Sequence, residues 1–387
     1  MTACIVGWSH TKFGKLDTED AESLIVRATK DALAHAEVNA DEIDEIVVGN
    51  VGRYSPQDFP ASLVLQADPA FRFKPASRVE NACATGSAAI HQGLRAIEAK
   101  RARLVLVVGV EKMTGASADE VAKNLLRATY VKEESWATAG FASLFAQVAE
   151  AYFQRHGDQS EALAMIAAKN HRNGVNNPYA QLRKDLGVAF CLTASEKNPV
   201  VAAPLKRTDC APISDGASAL VLADVETALT MKRAIVFRAA THVNDYLPMS
   251  RRDVLLLEGC EQAWSRARTA SNTTLDDLDF VETHDCFTIA ELLQYEAMGL
   301  ASRGEGARAI REGWTDIGGK LPVNPSGGLK SKGHPIGATG VSMHTLAAMQ
   351  LIGEAGAMQL PSPTLAGVFN MGGMGVANYC SILERLR

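Results

Sequence analysis

The 387-residue sequence has no apolar run long enough to cross a bilayer; its longest, residues 104–110, is the length of one strand. Basic residues are not in excess, and the net charge of −5 argues against nucleic acid or an anionic membrane as partner. Seven cysteines, an odd number without a CxxC pair, argue against a disulfide framework or a structural zinc site. The N-terminus, MTACIVGWSHTKFG, lacks a basic segment followed by an apolar core, so no signal peptide is expected. There is also no low-complexity tract or extended linker. These absences lead us to expect a cytoplasmic protein whose parts pack tightly together.

What is present is a 47% hydrophobic composition, enough over this length for two or three cores of ordinary size. Residues 3–6, 46–48 and 104–110 read as strands. The periodic residues Ala21, Leu24, Ile25, Ala28 and Ala32 mark a helix, as do Ile90, Leu94 and Ile97. This alternation predicts an α/β fold with a mainly parallel sheet. From 111 to 206 the pattern changes to helical pieces (141–153, 161–169) joined by polar turns. So long a connection reads as an inserted loop subdomain that contacts substrate.

A strand then returns at 217–222, and the second half repeats the first in outline. It has a strand at 234–242, a helix at 254–267, a buried helix at 337–352, and closing strands at 366–369 and 376–383. ADEIDEIV at 40–47 is echoed by LDDLDFVE at 275–282. The expected domains are residues 1–230, carrying the insertion, and residues 231–387.

Cys83 lies in VENACATGSAAIHQG, among small residues at the start of a helix. The helix dipole and free N–H groups there favour thiolate, which suits a nucleophile, although a lone cysteine is more often simply buried. A nucleophilic cysteine needs a histidine, and SKGHPIGATG offers His334 between glycines and ahead of an apolar helix. The alternative is a loop histidine satisfied by backbone.

His284-Asp285-Cys286-Phe287 follows the strand Phe280–Thr283, at the strand end where α/β sheets bind ligands. It offers a second thiol beside a histidine, or else a buried cysteine with a helix-capping Asp285. A metal site is not expected, because His284 and Cys286 would face opposite ways and no ligand set is complete. GLKSKGH at 328–334 has His334 where a phosphate-binding loop needs lysine. MGGMG at 371–375 lacks the following helix of a dinucleotide site, though its N–H groups could serve an oxyanion.

Together, NACATGS, PISDGASALVL, NPSGG, GHPIGATG and GGMGVA resemble the thiolase superfamily in order and over nearly the whole chain. HDCF stands where the common thiolases have NEAF, and Phe369-Asn-Met-Gly where they have CxG; the resemblance is therefore to sterol-carrier-protein-type thiolases. It implies a thiolase fold: two similar βαβαβαββ halves in α-β-α-β-α layers, with a loop subdomain in the first.

It further implies a CoA-dependent acyltransferase in which Cys83 is acylated and His334 takes its proton. Cys286 would serve as acid and base, His284 and His334 would hold the enolate oxygen, and the N–H groups of Cys83 and Met371 would form a second oxyanion hole. Coenzyme A enters as a substrate, with no metal or other cofactor expected. The resemblance also implies a homodimer or homotetramer and, in some relatives, a small zinc-ribbon/OB-fold companion. Alternative readings are a C–C lyase or acyltransferase with another acceptor on this scaffold, and a non-catalytic acyl-CoA-binding protein. The chain is expected to carry neither a fused sterol-carrier domain nor a terminal peroxisomal tripeptide.

Overall fold

A computed structural model describes residues 3–387. The first half runs through β1 (Ala3–His10), α1 (Ala21–Ala36), β2 (Glu45–Gly49), α2 (Pro60–Leu63), β3 (Ala76–Val79), α3 (Thr85–Glu98) and β4 (Leu104–Glu111). The insertion follows, with α4 (Ala118–Leu126), α5 (Val131–Glu134), α6 (Phe141–His156), α7 (Ser160–Gly174), α8 (Gly187–Leu192) and a hairpin of β5 (Val200–Ala202) and β6 (Leu205–Lys206). The chain returns to the main sheet at β7 (Gly216–Asp224) and leaves it through α9 (Val225–Ala228). The second half comprises β8 (Ile235–Asn244), α10 (Glu258–Ser271), β9 (Phe280–Thr283), α11 (Thr288–Ala297), α12 (Gly306–Arg311), α13 (Gly328–Lys332), α14 (Ile336–Leu351), β10 (Leu365–Gly372) and β11 (Ala377–Arg385).

The main sheet has the order β3-β2-β4-β7-β1-β8-β11-β10-β9. Among the described residues, its two halves meet where Cys4 and Ile5 pair with Val236 and Ile235. The sheet is mixed, which corrects the expectation of a mainly parallel one. Only β2 with β3, β2 with β4, and β9 with β10 run parallel. Strand–helix alternation correctly marks the crossovers, but each half ends in a strand that turns back. β7 lies antiparallel between β4 and β1, and β11 antiparallel between β10 and β8. In the second half that return is a tight turn, and in the first it is the whole insertion.

The acidic echo marks corresponding places in the two halves. Asp44, just before β2, accepts from the N–H groups of Arg103 and Leu104 at the start of β4. Asp279, just before β9, accepts in the same way from Thr364 and Leu365 at the start of β10. The halves differ at one strand: the counterpart of β3 is reduced to a single bridge between Val281 and Val323. Residues following β3 lead to Cys83 and then α3; those following Val323 lead to His334 and then α14. The two candidate residues therefore occupy equivalent positions.

Both faces of the first half-sheet are buried. Leu104, Leu106 and Val108 pack with Leu24, Ile25 and Ala28 of α1, while Val105 and Val107 pack with Ala89 and Ile90 of α3. On the far side, Trp264 of α10 covers Phe369 of β10, with ring centroids 6.2 Å apart. Between the half-sheets lie α3 and α14, and every residue of α14 is buried. An α-β-α-β-α layering results. The two central helices touch backbone to backbone: a Cβ on Gly86 would lie 2.7 Å from Val341 N, and one on Gly340 only 2.2 Å from Ser87 N. This crossing brings the N-termini of the two helices, and hence Cys83 and His334, to one place.

Candidate active site

Cys83 sits in a tight turn between β3 and α3, where Ala82 is held at φ 50°. The turn is locked by Thr85, whose hydroxyl accepts from Asn81 N and donates to Ala82 O. The thiol does not gain the acidity expected of a helix N-terminus. Burial pushes it up to about 12, outweighing the N–H groups of Gly373 and of Cys83 itself that reach the sulfur; Glu80 and Glu111 also oppose ionisation. Cys83 thus rests as a thiol and needs a base.

His334 is placed by Gly333, whose φ of 111° few other residues adopt, and by Ser214, whose hydroxyl accepts the His334 N–H at 3.1 Å. Its Nδ1 lies 2.7 Å from Thr339 Oγ1. The Thr339 hydroxyl donates its one proton to Pro335 O, so it accepts from Nδ1–H. The ring is thereby fixed with a lone pair on Nε2, which has no hydrogen-bond partner among the described residues. Burial, and after it the charge of Lys332, pushes the imidazole down to about 3, so it is neutral and ready to accept a proton.

His284 has the opposite tautomer. Asn370 Nδ2 lies 2.9 Å from His284 Nδ1 and also donates to Cys83 O at 3.2 Å, while Ser87 Oγ donates to Asn370 Oδ1. The carbonyl partner fixes the amide's orientation, so Nδ1 of His284 accepts and Nε2 carries the proton. That N–H is buried without a hydrogen-bond partner among the described residues. The rings stand nearly perpendicular with centroids 5.1 Å apart. Cys83 Sγ and one nitrogen of each ring lie within 4.8 Å of one another. One imidazole presents a lone pair to the shared space and the other a hydrogen.

A soft divalent ion would need lone pairs on both rings. The Asn370 amide keeps the His284 lone pair on Nδ1, so the arrangement suits protons rather than a metal.

Asp285 turns away from the pocket and accepts from Leu329 N and Lys330 N at the start of α13, and from Asn170 Nδ2. HDCF thus divides its labour, with Asp285 anchoring the segment that carries His334. Cys286 enters the same pocket as Cys83, contrary to the expectation that it and His284 would face opposite ways. Residues two apart in extended chain share a side. Burial, then the nearby Cys83 and Asp285, holds the Cys286 thiol well above its ordinary range.

The cavity holds about 80 Å³, and Cys83, Cys286, His334 and Gly373 line its reactive end. Its walls are Met113, Leu125, Phe141, Phe145, Ala211, Pro212 and Ile213 from the long connection between β4 and β7, together with Phe287 and Ile336. Phe145 stacks on Phe287 at 4.4 Å. No Asp, Glu, Lys or Arg lines the cavity, which suits an apolar acyl group. Met371, the expected second oxyanion donor, is buried in β10 opposite Asn378 of β11. The turn residue at the Cys83 sulfur is Gly373.

Sequence reasoning missed Asn370, Ser87 and Thr339. Asn370 carried the one available signal, a lone amide inside an otherwise apolar strand. Thr339→Val should leave the His334 Nδ1–H unpartnered and lower kcat about 10²-fold with little change in KM, as steady-state kinetics would read.

A buried, protonated thiol within 4.8 Å of a nitrogen of each of two neutral imidazoles, in a cavity lined by no charged side chain, suits an enzyme that works through a cysteine nucleophile. Comparison with known proteins identifies which. Residues 3–226 match a family model described as the thiolase N-terminal domain, and 240–385 match one described as thiolase C-terminal domain-like. The chain belongs to the thiolase family and is an acyltransferase of that family. It is 36% identical over 388 residues to an acetyl-CoA acetyltransferase of Methanothermobacter thermautotrophicus, covering 98% of this chain and 99% of that one. It is 33% identical to human sterol carrier protein 2 over 95% of this chain and 69% of that one. Among solved structures, the Ltp2–ChsH2(DUF35) aldolase shares the fold with a TM-score of 0.84 at 22% identity, covering 100% of this chain and 98% of that one. Human mitochondrial 3-ketoacyl-CoA thiolase in complex with CoA does so at 0.73 and 18%, with the same coverage.

Proposed function

We propose that this CoA-dependent thiolase cleaves 3-ketoacyl-CoA through an acyl group on Cys83, and by reversal condenses two acyl-CoA molecules. The observation that carries the proposal is the pair of opposed imidazole tautomers beside two protonated thiols. Cys83 gives its proton to His334 Nε2, and its sulfur adds to the 3-keto carbon. The new oxyanion is held by main-chain N–H groups of Cys83 and the closing turn, either Gly373 at the sulfur or Met371 by resemblance; donors of this kind contribute about 3–4 kcal/mol each. The carbon–carbon bond breaks to leave an acyl group on Cys83 and the enolate of a shortened acyl-CoA. His284 Nε2–H and the newly protonated His334 Nε2–H hold the enolate oxygen while Cys286 delivers a proton to carbon.

The product leaves, and CoA enters and gives its thiol proton to Cys286. It then takes the acyl group, and His334 returns its proton to Cys83. Protons balance over the cycle, and both thiols begin it protonated, as their burial favours.

Coenzyme A is a substrate in this scheme, and no step requires another cofactor. A homodimer or homotetramer in the cytoplasm, working in lipid metabolism with or without a small zinc-ribbon/OB-fold companion, completes the proposal. The DUF35 protein in the aldolase relative's name supports testing for a companion by co-purification.

The deciding experiment incubates purified protein with 3-ketoacyl-CoA esters from acetoacetyl to long-chain and branched, with and without CoA. CoA-dependent release of acyl-CoA, with an acyl mass trapped on Cys83, is the expected result. Cleavage that consumes no CoA and leaves Cys83 unmodified would indicate a lyase instead, and acyl-CoA binding without turnover would indicate a binding protein.

A further inference from the structure

Two residues before His334 lies a charge that the scheme above leaves idle. The Lys332 side chain is completely buried, yet among the described residues its Nζ has no hydrogen-bond partner. An ammonium in such a place is costly unless something uses it or neutralises it. The other buried lysines nearby are hydrogen-bonded: Lys169 to Glu291 and Val323 O, and Lys330 to Cys210 O. Lys332 instead ends α13 two residues before His334, and its carbonyl is tied to Gln181 N at 3.0 Å.

The groups that feel its charge come from several elements. They are His334 itself, His284 and Asp285 after β9, Glu282 within β9, and His10 at the end of β1. The two carboxylates are already engaged. Glu282 accepts from Ser326 N and Oγ, and Asp285 from the start of α13 and from Asn170. Lys169 adds its own charge to Glu282 and Asp285. Lys332 therefore presents a cation to the imidazoles that no direct ion pair quenches.

We propose that Lys332 is a positioning residue of the thiolase reaction, a fixed buried cation that acts through His284 and His334 to stabilise the anionic oxygen their Nε2–H groups hold. This inference rests on the enolate role given to the two histidines. A charge in the protein interior acts at a strength that water would screen away, and it requires no reorganisation when the oxygen becomes negative. The same cation adds to burial in keeping both imidazoles neutral before substrate arrives. Burial, partly offset by Glu282 and Asp285, pushes Lys332 down to about 8, so its own ionisation falls in an accessible range. Above that pH the cation is lost and the benefit should go with it.

The test uses the full chain and three variants. Lys332→Met should lower kcat for acetyl-CoA condensation about tenfold while KM stays within about twofold. Lys332→Arg should retain most of kcat and abolish a decline in kcat centred near pH 8 that the unaltered enzyme shows. Condensation is chosen because no CoA thiol is then a nucleophile to confuse the profile.

A readout that needs no substrate is nitrogen-15 NMR of histidine-labelled protein. The His284 and His334 ring signals should shift near pH 8 without change of ring charge, and Lys332→Arg should remove that shift. Glu282→Gln should move the same inflection to lower pH, because it removes a stabilising anion. An unaltered kcat in Lys332→Met, or ring signals flat through pH 8 in the unaltered protein, would overturn the proposal. Should Lys332→Met fail to fold, the NMR inflection and the arginine variant decide. Ring signals that behave as expected in a protein without condensation activity would show that the reaction assignment had failed and the electrostatic arrangement had not.

Discussion

Cys83→Ala should lower thiolysis by at least about 10⁴-fold and leave a protein that folds and still binds acyl-CoA. The reasoning is local. The side chain occupies a small buried site, so replacing sulfur by hydrogen costs little stability, while no neighbouring group can take over the covalent step. Cys286 cannot substitute, because the proposed cycle already uses its proton. The variant should show no acyl adduct by mass spectrometry, and calorimetry should show acyl-CoA affinity within a few-fold of the unaltered protein. Cys286→Ala is the instructive companion: it should still accept an acyl group on Cys83 from simple acyl-CoA, but lose carbon–carbon chemistry about 10³-fold. If Cys83→Ala retained turnover, the covalent route would be excluded.

Gly86→Ala should be nearly as damaging by a different route. The added methyl would meet Val341 N at 2.7 Å, Gly340 N at 2.8 Å and Gly337 O at 3.0 Å, all backbone atoms of α14. No flexible side chain can yield, so the two central helices must separate. A clash of this kind costs about 3 kcal/mol or more, and for a chain of this length a drop in melting temperature of about 4 °C or more should follow. Because Cys83 and His334 depend on that crossing for their separation, any folded fraction should lose at least about 10²-fold in kcat. Differential scanning calorimetry and single-turnover acylation would measure the two effects separately. A melting temperature unchanged from the unaltered protein would show that the helix contact is slack.

The sequence made the strand and helix order legible because both central helices carry patterns that only burial explains. The α3 residues Ile90, Leu94 and Ile97 recur with helical period, and α14 is mostly apolar and buried all round. Strand direction was not legible, since periodicity marks a strand's faces and says nothing of its polarity. Nor did β3 show itself: Ala76–Val79 is mostly exposed and lacks an apolar face.

At the site, the sequence yielded Cys83, His284, Cys286 and His334 as chemistry-bearing residues, and the structure brings all four together. The acidity of Cys83 was misjudged because the helix end is visible in sequence and the burial that outweighs it is not. The tautomers were out of reach for a similar reason. They depend on Asn370 and Thr339, and Asn370 reaches His284 only through the sheet pairing that places β9 beside β10. Lys332 could be read as one more base in SKGH until its lack of a partner was seen.

The equivalence of the two helix entries has a consequence for how the protein is made. Synthesis delivers the nucleophile with the first half and its base only near the end of the chain. Until α14 is inserted, α3 lacks the surface that crosses it at Gly86, and the Cys83 thiol has no proton acceptor beside it. A nascent or truncated chain should therefore carry an ordinary exposed thiol, without the burial that keeps it protonated and without the base that activates it. Base-assisted acylation at Cys83 requires the second half to have docked, so completion of the fold assembles the catalytic pair.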